Sequence, residues 1–123
     1  ELRELAKARK QEEKTWREEN PDRAGKLDRW FAGEAPAVDW KSIEQKPNQA
    51  TRAASATVLS ALAEQVENMI VASADLSNSD KTDGFLKKTR ALTRGDFGGA
   101  FLQPGVAELT MACLCIGMAL PYR

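Results

Sequence analysis

Glu108 is the one charged side chain in residues 106–120 (VAELTMACLCIGMAL), a stretch otherwise built from apolar and small residues. A lone carboxylate in the first turn of such a helix has two readings. At the surface it complements the positive end of the helix. Held inside, it loses solvation, its proton affinity rises, and it gives or shares a proton with a bound base. Spacing alone leaves both open. A second concentration of polar groups is residues 74–82 (ADLSNSDKT), where hydroxyls, an amide and carboxylates follow the apolar run 69–73 (MIVAS). In open α/β sheets ligands bind beyond the carboxyl ends of strands, so this loop is where chemistry is expected. By itself Asp75 reads as an N-cap or a loop-bracing carboxylate, and Arg52 as a first-turn residue of a helix. Cys113 and Cys115 lie two apart on a predicted helix and point in different directions. That pattern reads as core filling rather than as a metal or redox site. The chain has no histidine, which removes the commonest general base and metal ligand from anything it does alone.

The 123 residues amount to one domain or part of one, and 42% apolar with 29% charged residues supports a modest core. Eighteen basic residues balance eighteen acidic ones, so no charge excess steers the chain toward nucleic acid or an anionic membrane. The longest strongly apolar run, residues 109–120, falls short of the ~20 residues of a membrane span. Glu1 reads as an internal start with no signal-peptide pattern. Two thiols without a pairing pattern suit a reducing, cytoplasmic compartment.

These groups must be positioned by the elements around them. Residues 1–48 carry 22 of the 36 charges, and the composition changes near Gln49. Residues 1–19 read as a charged helix with few apolar anchors, Leu2, Leu5 and Trp16 among them, that needs something to lean on. Asn20 and Pro21 open a second helix, residues 22–32, presenting Leu27, Trp30 and Phe31. Gly33, Pro36 and Pro47 punctuate a connector in which Trp40 is expected to anchor. From residue 50 onward the pattern is a small-residue helix (50–66), a strand (69–73), the polar loop, a strand (100–103), a Pro104-Gly105 break and the apolar helix. That succession predicts a parallel α/β sheet.

Three motifs carry a resemblance: residues 50–55 (ATRAAS), 73–82 (SADLSNSDKT) and 105–111 (GVAELTM). They are similar to transketolase, at the start of the middle domain that binds the aminopyrimidine of thiamine diphosphate. Asn20, Pro21, Leu27, residues 33–36 (GEAP), Asp39 and Trp40 resemble the tail and linker that precede that domain. The resemblance implies a partial three-layer parallel-sheet thiamine-diphosphate-binding fold in the α/β class, preceded by a helical linker segment. Residues 1–48 would be the tail and linker, and 49–123 a truncated pyrimidine-binding domain. It implies that Glu108 hydrogen-bonds the pyrimidine ring nitrogen and drives the imino tautomer. It assigns Arg52 and Ser79 to the phosphate of sugar-phosphate substrates, Asp75 to the cofactor's surroundings, and Leu76 to support of the bent cofactor.

The departures are as informative. The family's Gly-Asp-Gly…Asn pattern, which binds diphosphate and metal, has no match here, and neither do its histidines. Pro104 and Gly98 stand where the family has other small or hydroxylic residues, and residues 121–123 stand where it turns into its next strand. The parent reaction transfers a two-carbon ketol unit between sugar phosphates, with thiamine diphosphate and magnesium. The chain alone is expected to be inactive, to hold no metal and to bind no cofactor tightly. A homodimer through the pyrimidine-binding domain is expected, with no nucleic acid or membrane partner. The alternative is a non-catalytic α/β interaction or dimerisation module of the same fold. A thiol redox domain using Cys113 and Cys115 is a further rival.

Overall fold

The computed structural model describes residues 1–120, so residues 121–123 and the expectation placed on them lie outside the described residues. The chain divides into two compact units, Glu1–Ala35 and Pro36–Arg123. The first is a helical pair, α1 (Leu2–Glu19) and α2 (Pro21–Phe31). Asn20 closes α1, its backbone N–H and its side-chain amide each donating to the Trp16 carbonyl at 2.9 Å. Pro21 then opens α2, where its missing N–H costs nothing and its fixed φ suits a helix start. The Arg17 guanidinium ties the pair together, meeting Glu13 one turn back at 2.9 Å and Asp28 of α2 at 2.8 Å. Such exposed pairs contribute about 0–1 kcal/mol each. Ala24 is the one buried residue of α2, and α1 buries none, as its sparse apolar anchors imply.

The second unit begins with the connector. Trp40 opens a 3₁₀ turn (Trp40–Ser42), but it is 64% exposed rather than buried as an anchor. Polar bonds to the next helix hold the connector instead. The Asp39 N–H donates to Gln65 Oε1 at 2.7 Å, and Gln45 Nε2 donates to the Ala54 carbonyl at 3.1 Å. That helix, α3 (Thr51–Gln65), matches the expected small-residue helix within a residue at each end.

After α3 come β1 (Val71–Ala72), the single turn α4 (Ser77–Asp80), α5 (Asp83–Leu86), β2 (Phe101–Leu102) and α6 (Glu108–Ala119). The strands pair in parallel, Val71 opposite Phe101 and Ala72 opposite Leu102, as expected of an α/β unit. Both are shorter than the apolar runs that announced them. Beyond β2, Ala91 bridges Phe101 in parallel, and the Leu92 N–H reaches the Phe101 carbonyl at 2.8 Å. Phe101 is therefore flanked on both sides by backbone, and it is 0% exposed. With Val71 and Phe85 it forms the core, and Leu59 and Ala63 of α3 pack against it.

The approach of α5 to α3 depends on Gly84. A Cβ there would lie 2.8 Å from the Ala56 carbonyl oxygen and 3.1 Å from Ser60 Oγ. Ser60 Oγ donates to the Gly84 carbonyl at 2.9 Å across the same contact. The small residues of α3 thus admit a neighbour at backbone distance. Gly84→Ala is expected to cost about 1–3 kcal/mol by overpacking. Chemical denaturation checks this, and an unchanged midpoint would refute the close-packing account.

Candidate functional site

Parallel strands send their carboxyl ends to one edge of the sheet. The loop 73–82 leaves β1 there, and residues 103–107 leave β2 there on the way to α6. The far end of α6 lies by the opposite edge. Cys115, Met118 and Ala119 line an open pocket of about 180 Å³ with Asn68 and Ile70, which directly precede β1. Eleven residues of α-helical rise, roughly 16 Å, separate Ala119 from Glu108 and carry Glu108 back to the carboxyl edge. Gly105 makes the turn into α6 with φ of +74°, a left-handed conformation suited to glycine. The Ala107 N–H closes onto the Gly105 carbonyl at 2.8 Å, so the helix begins at Glu108 rather than at 106. Glu108 is exposed in this chain rather than held inside.

The polar loop is more ordered than its composition suggests. The N–H groups of Ser79 and Asp80 both return to the Leu76 carbonyl, at 2.8 and 2.9 Å, and make the single turn α4. Lys81 ends it in the left-handed region at φ of +69°. Ser73, 3% exposed, lies under the turn. Its hydroxyl donates to Asp80 Oδ2 at 3.0 Å and accepts from the Leu76 N–H at 3.3 Å. Asp80 Oδ1 accepts from both the N–H and the hydroxyl of Thr82, at 2.9 and 2.8 Å. Burial pushes the Asp80 carboxyl up, but the hydrogen bonds from Thr82 and Ser73 outweigh it and hold the group below the usual aspartate range.

A folded value below the unfolded one means stability that is present above the unfolded pKa, about 3.9, and lost as pH falls through the folded value. Asp80→Asn mimics the neutral acid. Its melting temperature is expected to lie below that of the wild type at about pH 7 and to converge with it by about pH 2. A gap that stays constant on acidification would refute the assignment.

Arg52 stands in the first turn of α3, and its Nη1 reaches the Ser79 carbonyl oxygen at 3.5 Å, across 27 residues of sequence. Ser79 Oγ donates to the Leu76 carbonyl at 3.1 Å. Ala50 at the N-cap offers no side-chain acceptor to the first-turn N–H groups of α3. A guanidinium, open amides and a hydroxyl-bearing turn therefore share one corner at the carboxyl end of β1, a chemistry suited to a phosphate oxygen face. Asp75 and Leu76 lie exposed on the same loop, Asp75 with φ of +63° and Leu76 54% exposed.

Sequence reasoning passed over Asp80, Ser73 and Arg90. Arg90 forks onto Asp96 at 2.7 and 3.3 Å and braces the turn that leads into β2. The density of Ser, Asn and Asp in 73–82 was the available signal for the first two; nothing local marked Arg90. Cys113 and Cys115 are free thiols on α6. Among the described residues no group of three or more His, Cys, Asp or Glu side chains could hold a metal ion, and no helix is long and apolar enough to cross a membrane.

A parallel α/β unit with a polar loop and a helix start on its carboxyl edge has the plan of a ligand-binding domain. No family model matches the chain. Over 109 residues, 85% of this chain, it is 34% identical to a transketolase of Bacillus subtilis (strain 168). The chain resembles part of transketolase, and it spans 16% of the length of that relative.

Proposed function

We propose that this chain forms the pyrimidine-facing and phosphate-facing wall of a transketolase-type site, in an enzyme that transfers a two-carbon ketol unit between sugar phosphates. The observation that carries this reading is the meeting of Arg52 with Ser79 at the carboxyl end of β1. In this reading residues 1–48 are the tail and linker of a preceding domain. Residues 49–123 are the front of a three-layer pyrimidine-binding domain in a cytoplasmic homodimer.

The described residues do not fit the metal, since they assemble no donor set for it, so no step is derived through magnesium or the diphosphate. They suit the pyrimidine half better: a carboxyl at the head of α6 and an exposed leucine beyond β1 both belong to the carboxyl edge. Thiamine diphosphate, when bound, supplies the carbon nucleophile that the transfer needs. Glu108 would hold a proton at the pyrimidine ring nitrogen, Leu76 would support the cofactor's bend, and Asp75 would line its surroundings. Arg52 and Ser79 would hold the substrate phosphate away from the reacting carbon. The test is Arg52→Ala in an active enzyme carrying this segment, read as discrimination between phosphorylated and unphosphorylated substrates.

One observation favours a second reading, a non-catalytic interaction module. Leu109, Ile116 and Leu120 of the apolar helix region are exposed, which gives a partner protein an apolar surface to cover.

A further inference from the structure

The corner formed by Arg52 and Ser79 is held by a residue that touches neither an anion nor Arg52. Ser79 sits on a turn only four residues long, too short to keep its own shape in water. Both flanks of that turn are fastened to one carboxylate. On the strand side, buried Ser73 bridges Asp80 Oδ2 to the Leu76 N–H, and Leu76 is the residue whose carbonyl accepts from Ser79. On the outgoing side, Asp80 Oδ1 takes both donors of Thr82, just after the left-handed Lys81. The anchor is rigid at its base, because the Ser73 N–H is itself part of the parallel ladder, donating to the Leu102 carbonyl at 3.2 Å.

We infer that Asp80 is the positioning residue of this corner: through Ser73 and Thr82 it fixes the turn that presents Ser79 to Arg52, and so sets the affinity for a phosphate group. The inference rests on the phosphate reading above and adds the part that makes the corner rigid. A side chain that accepts from Thr82 and bonds Ser73 is sufficient for this work, and its charge is not needed. Asparagine meets that requirement, with its carbonyl oxygen toward Thr82 and its amide toward Ser73, whose hydroxyl has the lone pairs to accept. Alanine does not.

The experiment uses the whole chain with inorganic phosphate as the probe. Phosphate is titrated against the backbone amide signals of wild type, Asp80→Ala, Asp80→Asn and Arg52→Ala, and amide hydrogen exchange is recorded for each. Asp80→Ala is expected to lower protection at Leu76 and Thr82 and to weaken phosphate binding by roughly tenfold, the worth of one charge-assisted hydrogen bond. Asp80→Asn is expected to lose less protection than Asp80→Ala, because its neutral bonds are weaker than the carboxylate's but still made, and to bind phosphate more tightly than Asp80→Ala. Arg52→Ala is expected to lose phosphate binding while keeping the protection. A purely structural role would lower the melting temperature of Asp80→Ala and leave phosphate affinity of the folded protein unchanged, which overturns the inference alone. Absence of phosphate binding by the wild type overturns the phosphate reading and the inference with it. If Asp80→Ala fails to fold, Thr82→Val removes one donor to the same carboxylate and is held to the same two readouts.

Discussion

Glu108→Gln, in an active enzyme carrying this segment, is expected to lower cofactor-saturated turnover by about 10²–10⁴-fold, the usual range for a positioned acid–base group. Glutamine keeps the length and a hydrogen bond but holds no transferable proton. Melting temperature is expected to move little, because the side chain is exposed at the first position of α6 and its loss opens no cavity. A surface first-turn carboxylate with no acid–base role would differ in turnover. Its removal would cost about 0.3–1 kcal/mol of stability and leave turnover intact. Turnover of the variant therefore separates the two roles, and near-normal turnover at saturating cofactor ends the catalytic one.

Arg52→Ala is the second large effect. Hydrogen bonds to a charged group contribute about 1.5–3 kcal/mol, so kcat/KM for phosphorylated substrates is expected to fall by roughly 10- to 150-fold. Most of the loss should appear in KM, since a phosphate remote from the reacting carbon is held alike in ground and transition states. Unphosphorylated analogues should be converted as before. Arg52→Lys should recover only part of the loss, because an ammonium lacks the planar fork of the guanidinium. An equal loss on both substrate types would remove Arg52 from phosphate recognition and leave it a helix residue.

The order of elements was legible because each rests on a local pattern. Small residues at helical spacing gave α3, short apolar runs gave β1 and β2, and Pro104-Gly105 gave the break before α6. The parallel pairing followed from that order. Strand length did not, because an apolar run extends past the two positions at which a backbone partner is in register. That Arg52 and Ser79 share a phosphate was an expectation of the resemblance alone, since nothing local links residues 27 apart; what the structure adds is the approach of Arg52 to the Ser79 carbonyl. Asp80 was hidden for the opposite reason. In a segment where nearly every residue is polar, type alone does not reveal which carboxylate faces the buried serine. Trp40 shows the limit of composition: a large apolar ring announces a wish for cover, but only contacts reveal whether this chain provides it.

The pairing of Val71 with Phe101 joins residues thirty positions apart in sequence, and it has a consequence for biosynthesis. The helical pair α1 and α2 is built from neighbours and has its partners as soon as it is made. The sheet has none until Phe101 has been added, and Phe101 is also the ring that fills the core. Until then Val71 and Phe85 wait with one wall absent, and closing the intervening loop costs entropy that only the completed core repays. A chain that ends before residue 101 would thus carry a paired α1 and α2 followed by an open, protease-sensitive segment. The same segment would close once Phe101 has left the ribosome.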